Sequence, residues 1–297
     1  MKTNNQPVFH LGEAVTDTHL AYFQKHGIIQ FKNFLDKETL SVIHSEVQHV
    51  QQLLLRNSIQ KINGIPLKFG TDVDGSPLIQ RIAFASHYSN VLRGLLKDKR
   101  LLSLTKLLGP YNGRIGENEK DGLVINHYVN AAESQFKQLG WHTDSPRDLF
   151  LGSRILPMLN VGIHLDDCPL DNGGLRVLPG THEQGLLKLL FRKKYFIDKN
   201  PDKKEVGFAI EAGDLTVHDG RLWHRVQQSP YTGEKSRRRV MYIPIITGAY
   251  QPKTADSPTP FYHKLAQLKQ QLYGGRPQWV NVKSKEGSLA KVNSSSI

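Results

Sequence analysis

The chain has one cysteine, Cys168, in 297 residues. An internal disulfide is therefore excluded, and the scarcity agrees with a reducing compartment. Long hydrophobic runs are missing too. No window approaches the ~18 consecutive apolar residues of a membrane-crossing helix. The opening MKTNNQPVFHLGEA lacks the apolar stretch of a secretory signal. These absences lead us to expect a cytoplasmic protein with no membrane partner. No internal repeat and no dividing linker is visible. A length near 300 residues suits two average domains, yet large β-folds reach it as one. We therefore read residues 1–282 as a single domain and the small, polar stretch 283–297 as a disordered tail.

Charge of one sign is in excess. The formal net charge is +12, which suits nucleic acid, an acidic surface or an anionic substrate. The excess is spread out, with denser places at RKKYFIDKNPDKK (192–204) and KSRRR (235–239). No zinc-finger spacing or RNA-binding aromatic signature accompanies them, so nucleic acid is the least favoured partner. The first stretch also carries Asp198 and Asp202, as a solvated loop does.

The N-terminal part, about 15–110, reads as helical. TDTHLAYFQKHGIIQ (16–30) suggests a short helix ending at Gly27, then a strand. Asp36 is placed to cap a second helix, in which Leu40, Ile43, Val47, Val50 and Leu54 form one apolar stripe. Residues 62–80 suggest a loop and a hairpin, and 89–108 are helical again up to Gly109-Pro110. From about 112 to 250 the texture changes to short apolar runs between turn residues: GLVINHYV, ILPMLNVGIHL, GLRVLPG, GFAI, DLTVHD and RVMYIPII. Such spacing favours an antiparallel sandwich or barrel. A last helix is expected at about 258–273. The fold class is mainly β with flanking helices.

Within that core, WHTD (141–144) sets His142 and Asp144 one residue apart. In an extended segment both side chains share a face. Two such groups do not saturate a metal. A third from a distant strand would complete the two-His, one-carboxylate set that binds non-haem Fe(II) and leaves positions open. His224, in GDLTVHDGRLWHRV (213–226), is the best third member among 13 histidines. His164, His182 and His218 each read as surface or hydrogen-bonded structural histidines. Spacing alone leaves this choice open.

WHTD, DNGGLRVLPGTHEQG (171–185), GDLTVHDGRLWHRV and RRRVMYIPI (237–245) occur in that order. Together they resemble the phytanoyl-CoA dioxygenase family over roughly residues 15–250. The resemblance implies a double-stranded β-helix (jelly-roll, cupin-like) core and an oxygenase using Fe(II), 2-oxoglutarate and O2. It implies His142, Asp144 and His224 as iron ligands. The presence of Asp144 argues for oxygenation, because halogenating relatives lack this carboxylate. The family places an Arg about eleven residues after the distal His to hold the far carboxylate of 2-oxoglutarate. Here that position is Lys235, and Arg237, Arg238 and Arg239 follow. Alternation groups Arg238 with Val240 and Tyr242, so Arg238 is our choice and a shift to either neighbour is the alternative. Asn126 and Tyr128 share a face on the strand before WHTD and are candidate cosubstrate contacts. Trp141 and Trp223 read as core packing. Gly162 stands where relatives often carry an aromatic, which suggests extra room near the cosubstrate.

The implied reaction oxidises an unactivated C–H bond of a small-molecule substrate and releases succinate and CO2. Hydroxylation, desaturation, cyclisation and epimerisation are not distinguished. Relatives take acyl-CoA thioesters, amino acids and natural-product scaffolds of secondary metabolism. The basic segment within 183–210 would favour an anionic, CoA- or carrier-linked substrate if it is more than a solubilising loop. Rival readings are a zinc hydrolase at the same three residues, a non-catalytic jelly-roll binding protein and a nucleic-acid demethylase. Nothing in the sequence speaks to oligomeric state.

Overall fold

The computed structural model describes residues 7–131, 134, 136–145 and 155–260. The expected helix at about 258–273 lies outside these beyond residue 260, and the tail 283–297 lies outside altogether.

Thr16 accepts a hydrogen bond from the His19 backbone N–H and caps α1 (Asp17–His26). Gly27 ends that helix at φ 72°, a conformation that favours glycine, and β1 (Ile28–Phe31) follows. Asp36 caps α2 (Lys37–Arg56) through the Thr39 N–H. Its stripe Ile43, Val47, Val50 and Leu54 is buried, with Leu40 at the edge. Two hairpins come next: β2 (Lys61–Ile62) with β3 (Ile65–Pro66), and β4 (Lys68–Thr71) with β5 (Pro77–Ile82).

Residues 89–108 are not one helix. They form α3 (Asn90–Leu95), α4 (Lys99–Ser103) and a 3-10 turn over Leu104–Leu108. The break falls before α4, where the Asp98 carboxylate accepts from the Arg100 backbone N–H at 2.8 Å. An Asp that caps locally competes with continuation of a helix.

The later strands are β6 (Arg114–Ile115), β7 (Val124–Tyr128), β8 (Leu139–His142), β9 (Met158–His164), β10 (Gly174–Val177), β11 (Val206–Gly207), β12 (Leu215–Asp219), β13 (His224–Gln227) and β14 (Arg238–Ile246). A short helix, α5 (Leu186–Phe191), lies between β10 and β11. The segment GFAI forms less strand than its composition suggests: beyond Gly207 it contributes only a bridge from Ile210 to Cys168. One sheet runs β1-β12-β9-β14-β7-β5-β4, with β6 also on β14, and a second runs β11-β10-β13-β8. The ladders are antiparallel, and the architecture is the expected jelly roll with flanking helices. Strands β1, β4 and β5, all from before residue 112, extend the larger sheet. No helix among the described residues is long and apolar enough to cross a membrane.

The larger sheet has two unlike faces. Leu159, Val161 and Ile163 of β9, Leu215 and Val217 of β12, and Met241, Ile243 and Ile245 of β14 share one buried cluster with α1 and α2. The alternate residues are largely polar: Asn126 and Tyr128, Asn160 and His164, Thr216 and His218, Arg238 and Tyr242. Helices cover the apolar face, so the polar face looks into the jelly roll. Burying so many polar groups is tolerable only where they find partners or serve a site.

Asp214, fully buried just before β12, fastens β1 to that strand. Its carboxylate accepts from Gln30 Nε2 at 2.9 Å, Lys32 Nζ at 2.7 Å, Asn33 N at 3.1 Å and Glu211 N at 2.9 Å. Asp214→Ala leaves a cation and backbone donors without their acceptor. We expect it to lower unfolding stability by about 3–5 kcal/mol, read as a fall in the urea midpoint at unchanged m-value.

Candidate active site

Strands β8 and β13 pair so that His142 and His224 are Cα partners. Their ring centroids lie 4.1 Å apart. Each ring is fixed by the backbone carbonyl two residues before it. His142 Nδ1 lies 2.8 Å from the Gly140 carbonyl, and His224 Nδ1 lies 2.9 Å from the Leu222 carbonyl. A carbonyl only accepts, so Nδ1 carries the hydrogen and Nε2 keeps its lone pair. Burial pushes both imidazoles below their ordinary pKa, which keeps them neutral.

Asp144 follows β8 in a turn anchored to the β12–β13 connection. The N–H groups of Asp144 and Ser145 both donate to the Gly220 carbonyl, at 2.8 and 3.0 Å. Nε2 of His142 is 4.0 Å from Asp144 Oδ1, and Nε2 of His224 is 3.9 Å from Asp144 Oδ2. Burial alone would raise the Asp144 pKa. The neighbouring His224 and a hydrogen bond from His218 hold the carboxyl well below the usual range instead. Ligand atoms from His142, Asp144 and His224 all lie within 4.8 Å of one another. Two imidazole lone pairs and one carboxylate converging in this way fit a divalent iron with open positions.

The other three histidines separate. His164 Nε2 meets Thr216 Oγ1 at 3.0 Å, and His182 Nε2 meets the Gln24 carbonyl at 3.0 Å. These are structural, as expected. His218 is not remote from the site. It is fully buried, its Nε2 lies 3.3 Å from Asp144 Oδ2, and its ring lies 4.4 Å from that of His224. Asn160, which sequence reasoning missed, donates to the same oxygen at 3.1 Å. The only sequence signal for either is the alternation of β9 and β12, which does not say which face meets the metal.

The three arginines also separate. Arg237 pairs with Asp72 at 2.6 Å and with Glu234. Arg239 pairs with Asp166 at 2.6 Å. Arg238 is buried and has no carboxylate partner among the described residues. It donates to the Gln227 carbonyl at 2.8 Å and the Lys137 carbonyl at 3.3 Å, and its Nε has no partner among the described residues. Desolvation without a counter-charge pushes its pKa down. Tyr128 is its Cα partner on β7, and the guanidinium sits 5.6 Å from that ring. Asn126 Nδ2 donates to the Tyr128 hydroxyl at 3.4 Å, and Asn126 Oδ1 is unpaired. Burial raises the pKa of Tyr128 and of Tyr242, so both phenols stay protonated. Arg238, Tyr128, Tyr242, His164, Cys168 and Gly174 line one cavity. An unpaired buried cation among neutral donors fits a carboxylate-bearing cosubstrate.

Gly162 does not open the room its sequence position suggested. A Cβ there would stand 2.9 Å from Thr216 Oγ1 and 3.0 Å from Tyr242 Cε1. Tyr242, the residue paired with it across β14, fills the space.

Residues 195–198 pack against β8 and Thr143. Phe196 N donates to the Trp141 carbonyl at 2.9 Å, and Trp141 N donates to the Asp198 carbonyl at 2.8 Å. The Phe196 ring stacks on His142 at 4.8 Å, and the Tyr195 hydroxyl meets Thr143 Oγ1 at 2.7 Å. Trp141 and Trp223 pack with Leu178 behind the ligands. Lys193 is neutralised by Asp202 at 2.8 Å and Asp198 at 3.8 Å. Leu187, Phe191, Phe196 and Ile197 remain exposed.

The family model for phytanoyl-CoA dioxygenase matches residues 23–238. The chain belongs to the phytanoyl-CoA dioxygenase family. Its reaction class is that of Fe(II)- and 2-oxoglutarate-dependent oxygenases, with O2 as oxidant. Similar solved structures include SnoK, a non-haem alpha-ketoglutarate-dependent carbocyclase from nogalamycin biosynthesis, at 16% identity and TM-score 0.59, covering 88% of this chain and 94% of that one. SnoN, an epimerase of the same biosynthesis, matches at 17% identity and TM-score 0.56, covering 78% and 84%. HygX from Streptomyces hygroscopicus, solved with nickel and 2-oxoglutarate, matches at 15% identity and TM-score 0.56, covering 80% and 89%. At such identities the likeness speaks for the fold. No curated protein matches the chain in sequence.

Proposed function

We propose that His142, Asp144 and His224 hold Fe(II), that Arg238 holds the distal carboxylate of 2-oxoglutarate, and that the protein oxidises an unactivated C–H bond of a small-molecule substrate. Succinate and CO2 are the products from the cosubstrate. The observation that carries this reading is the buried Arg238, without a carboxylate partner among the described residues, in a fold whose three candidate ligands converge. Iron, when bound, supplies the oxidising power for the C–H bond. The chain supplies the rest. Backbone carbonyls of Gly140 and Leu222 orient the two imidazoles. The protonated hydroxyls of Tyr128 and Tyr242 and the amide of Asn126 give the cosubstrate hydrogen-bonding partners beside Arg238. The two tryptophans and Phe196 exclude water from the ligand side.

We place the mouth of the site at residues 186–200, and its surface suggests the substrate's chemistry. Exposed Leu187, Phe191 and Ile197 are interleaved with Arg192 and Lys194. We read this as a surface for an amphipathic substrate with an apolar body and an anionic group, such as a CoA- or carrier-linked acyl chain. The similarity to a carbocyclase and an epimerase supports keeping ring formation and epimerisation beside hydroxylation as outcomes.

The central test is anaerobic titration of Fe(II)-loaded protein with 2-oxoglutarate. We expect a weak visible charge-transfer band that Asp144→Ala abolishes. Arg238→Met should raise the dissociation constant for 2-oxoglutarate at least about tenfold, equivalent to ~1.4 kcal/mol. No band in folded, iron-loaded protein would reject the reading. For the mouth, Arg192→Gln with Lys194→Gln should raise KM for an anionic acyl substrate several-fold at unchanged kcat. An unmoved KM would remove the anionic preference and leave the reaction class standing.

A further inference from the structure

We propose that Asn160 and His218 form a two-donor clamp on Asp144 Oδ2, which makes Asp144 a one-oxygen metal ligand and keeps a coordination position free. The proposal rests on the reading that His142, Asp144 and His224 bind the metal. It adds two positioning residues contributed by the opposite sheet.

Asn160 on β9 and His218 on β12 are Cα partners. Both stand on the polar inner face of the larger sheet, whereas Asp144 follows a strand of the smaller one. Asn160 Nδ2 reaches Asp144 Oδ2 at 3.1 Å, and His218 Nε2 reaches the same atom at 3.3 Å. A carboxylate oxygen accepts at about two lone-pair sites. Two donors therefore occupy Oδ2. Each oxygen has a ligand imidazole nearby, His142 Nε2 at 4.0 Å from Oδ1 and His224 Nε2 at 3.9 Å from Oδ2, but Oδ1 alone has no hydrogen-bond donor among the described residues and is the oxygen left free for the metal.

The chemistry of position 218 is specific. A carboxylate only accepts, so the ring must present Nε2–H to it. Its Nδ1 meets no hydrogen-bond partner among the described residues. Keeping an imidazole fully buried with one nitrogen unpaired is costly, and a leucine or phenylalanine would fill the site without that cost. The Nε2–H···Oδ2 contact is what the histidine provides in return. With Oδ2 engaged, the carboxylate cannot chelate through both oxygens. The position that a second oxygen would take stays available to cosubstrate or O2. The clamp also sets the carboxylate plane, because the Asp144 and Ser145 backbone is already pinned to the Gly220 carbonyl.

The experiment compares wild type, Asp144→Ala, His218→Leu, His218→Gln and Asn160→Val, each metal-free at the start and checked by circular dichroism. Co(II) is the probe, titrated anaerobically without cosubstrate while its visible ligand-field bands are recorded. Wild type should bind one Co(II), and Asp144→Ala should lose it. His218→Leu and Asn160→Val should each weaken binding about 10–100-fold. Their Co(II) bands should also lose intensity, because a second carboxylate oxygen raises the coordination number. His218→Gln retains a donor and should recover most of the affinity and the wild-type spectrum. A merely structural histidine would change neither the spectrum nor respond to glutamine. If both apolar variants bind Co(II) within twofold of wild type with its spectrum, the clamp is overturned while the three-ligand reading stands. If His218→Leu does not fold, Asn160→Val and His218→Gln decide on the same criteria. Co(II) binding that Asp144→Ala leaves intact would instead overturn the three-ligand reading, and the clamp with it.

Discussion

His142 and His224 face each other across the β8–β13 ladder, and the register of that ladder governs the site. Strand side chains alternate with period two, so a one-residue slip would turn an imidazole to the opposite face. The ladder is irregular between His224 and Val226. Irregularities of this kind re-aim side chains next to functional sites. The same pairing sets Gly220, in the turn between β12 and β13, under the Asp144 backbone. One ladder thus delivers two imidazoles and positions the turn that carries the carboxylate.

The larger sheet completes the site by an uneven division of its faces. Its apolar residues go to the helical layer, where α2 lays down Ile43, Val47, Val50 and Leu54. Its polar residues are left for the interior. Several buried polar atoms there have no partner among the described residues: Asn126 Oδ1, His218 Nδ1 and Arg238 Nε. Such atoms are rare in folded proteins and collect where a site needs them. Burial also orders the charges. It holds the ligand imidazoles neutral and the pocket phenols protonated, while Asp144 stays ionised among its histidine neighbours. Around the site this sets the Asp144 carboxylate and the Arg238 guanidinium among neutral imidazoles, phenols and amides.

Much of this was legible in the sequence because it is local. The cap at Asp36, the glycine after α1 and the alternation in β14 depend on neighbours a few residues away. Alternation also separates Arg238 from Arg237 and Arg239, whose charges are taken by Asp72, Glu234 and Asp166. What escaped is non-local. The Asp98 cap that divides 89–108 competes with an equally good helical pattern. Gly162 looks like open space until Tyr242 arrives from another strand. His218 reads as one histidine among several until β9 sets Asn160 beside it and the smaller sheet brings Asp144 up to both. Periodicity tells which residues share a face, and only the packing of the two sheets tells what that face meets.

The most direct measurement is an anaerobic crystal structure with Mn(II) soaked in as an anomalous scatterer. The account predicts one strong anomalous peak bound by Nε2 of His142, Nε2 of His224 and a single oxygen of Asp144, with the other oxygen held by Asn160 and His218. A peak elsewhere, or one bound by both Asp144 oxygens, would contradict it.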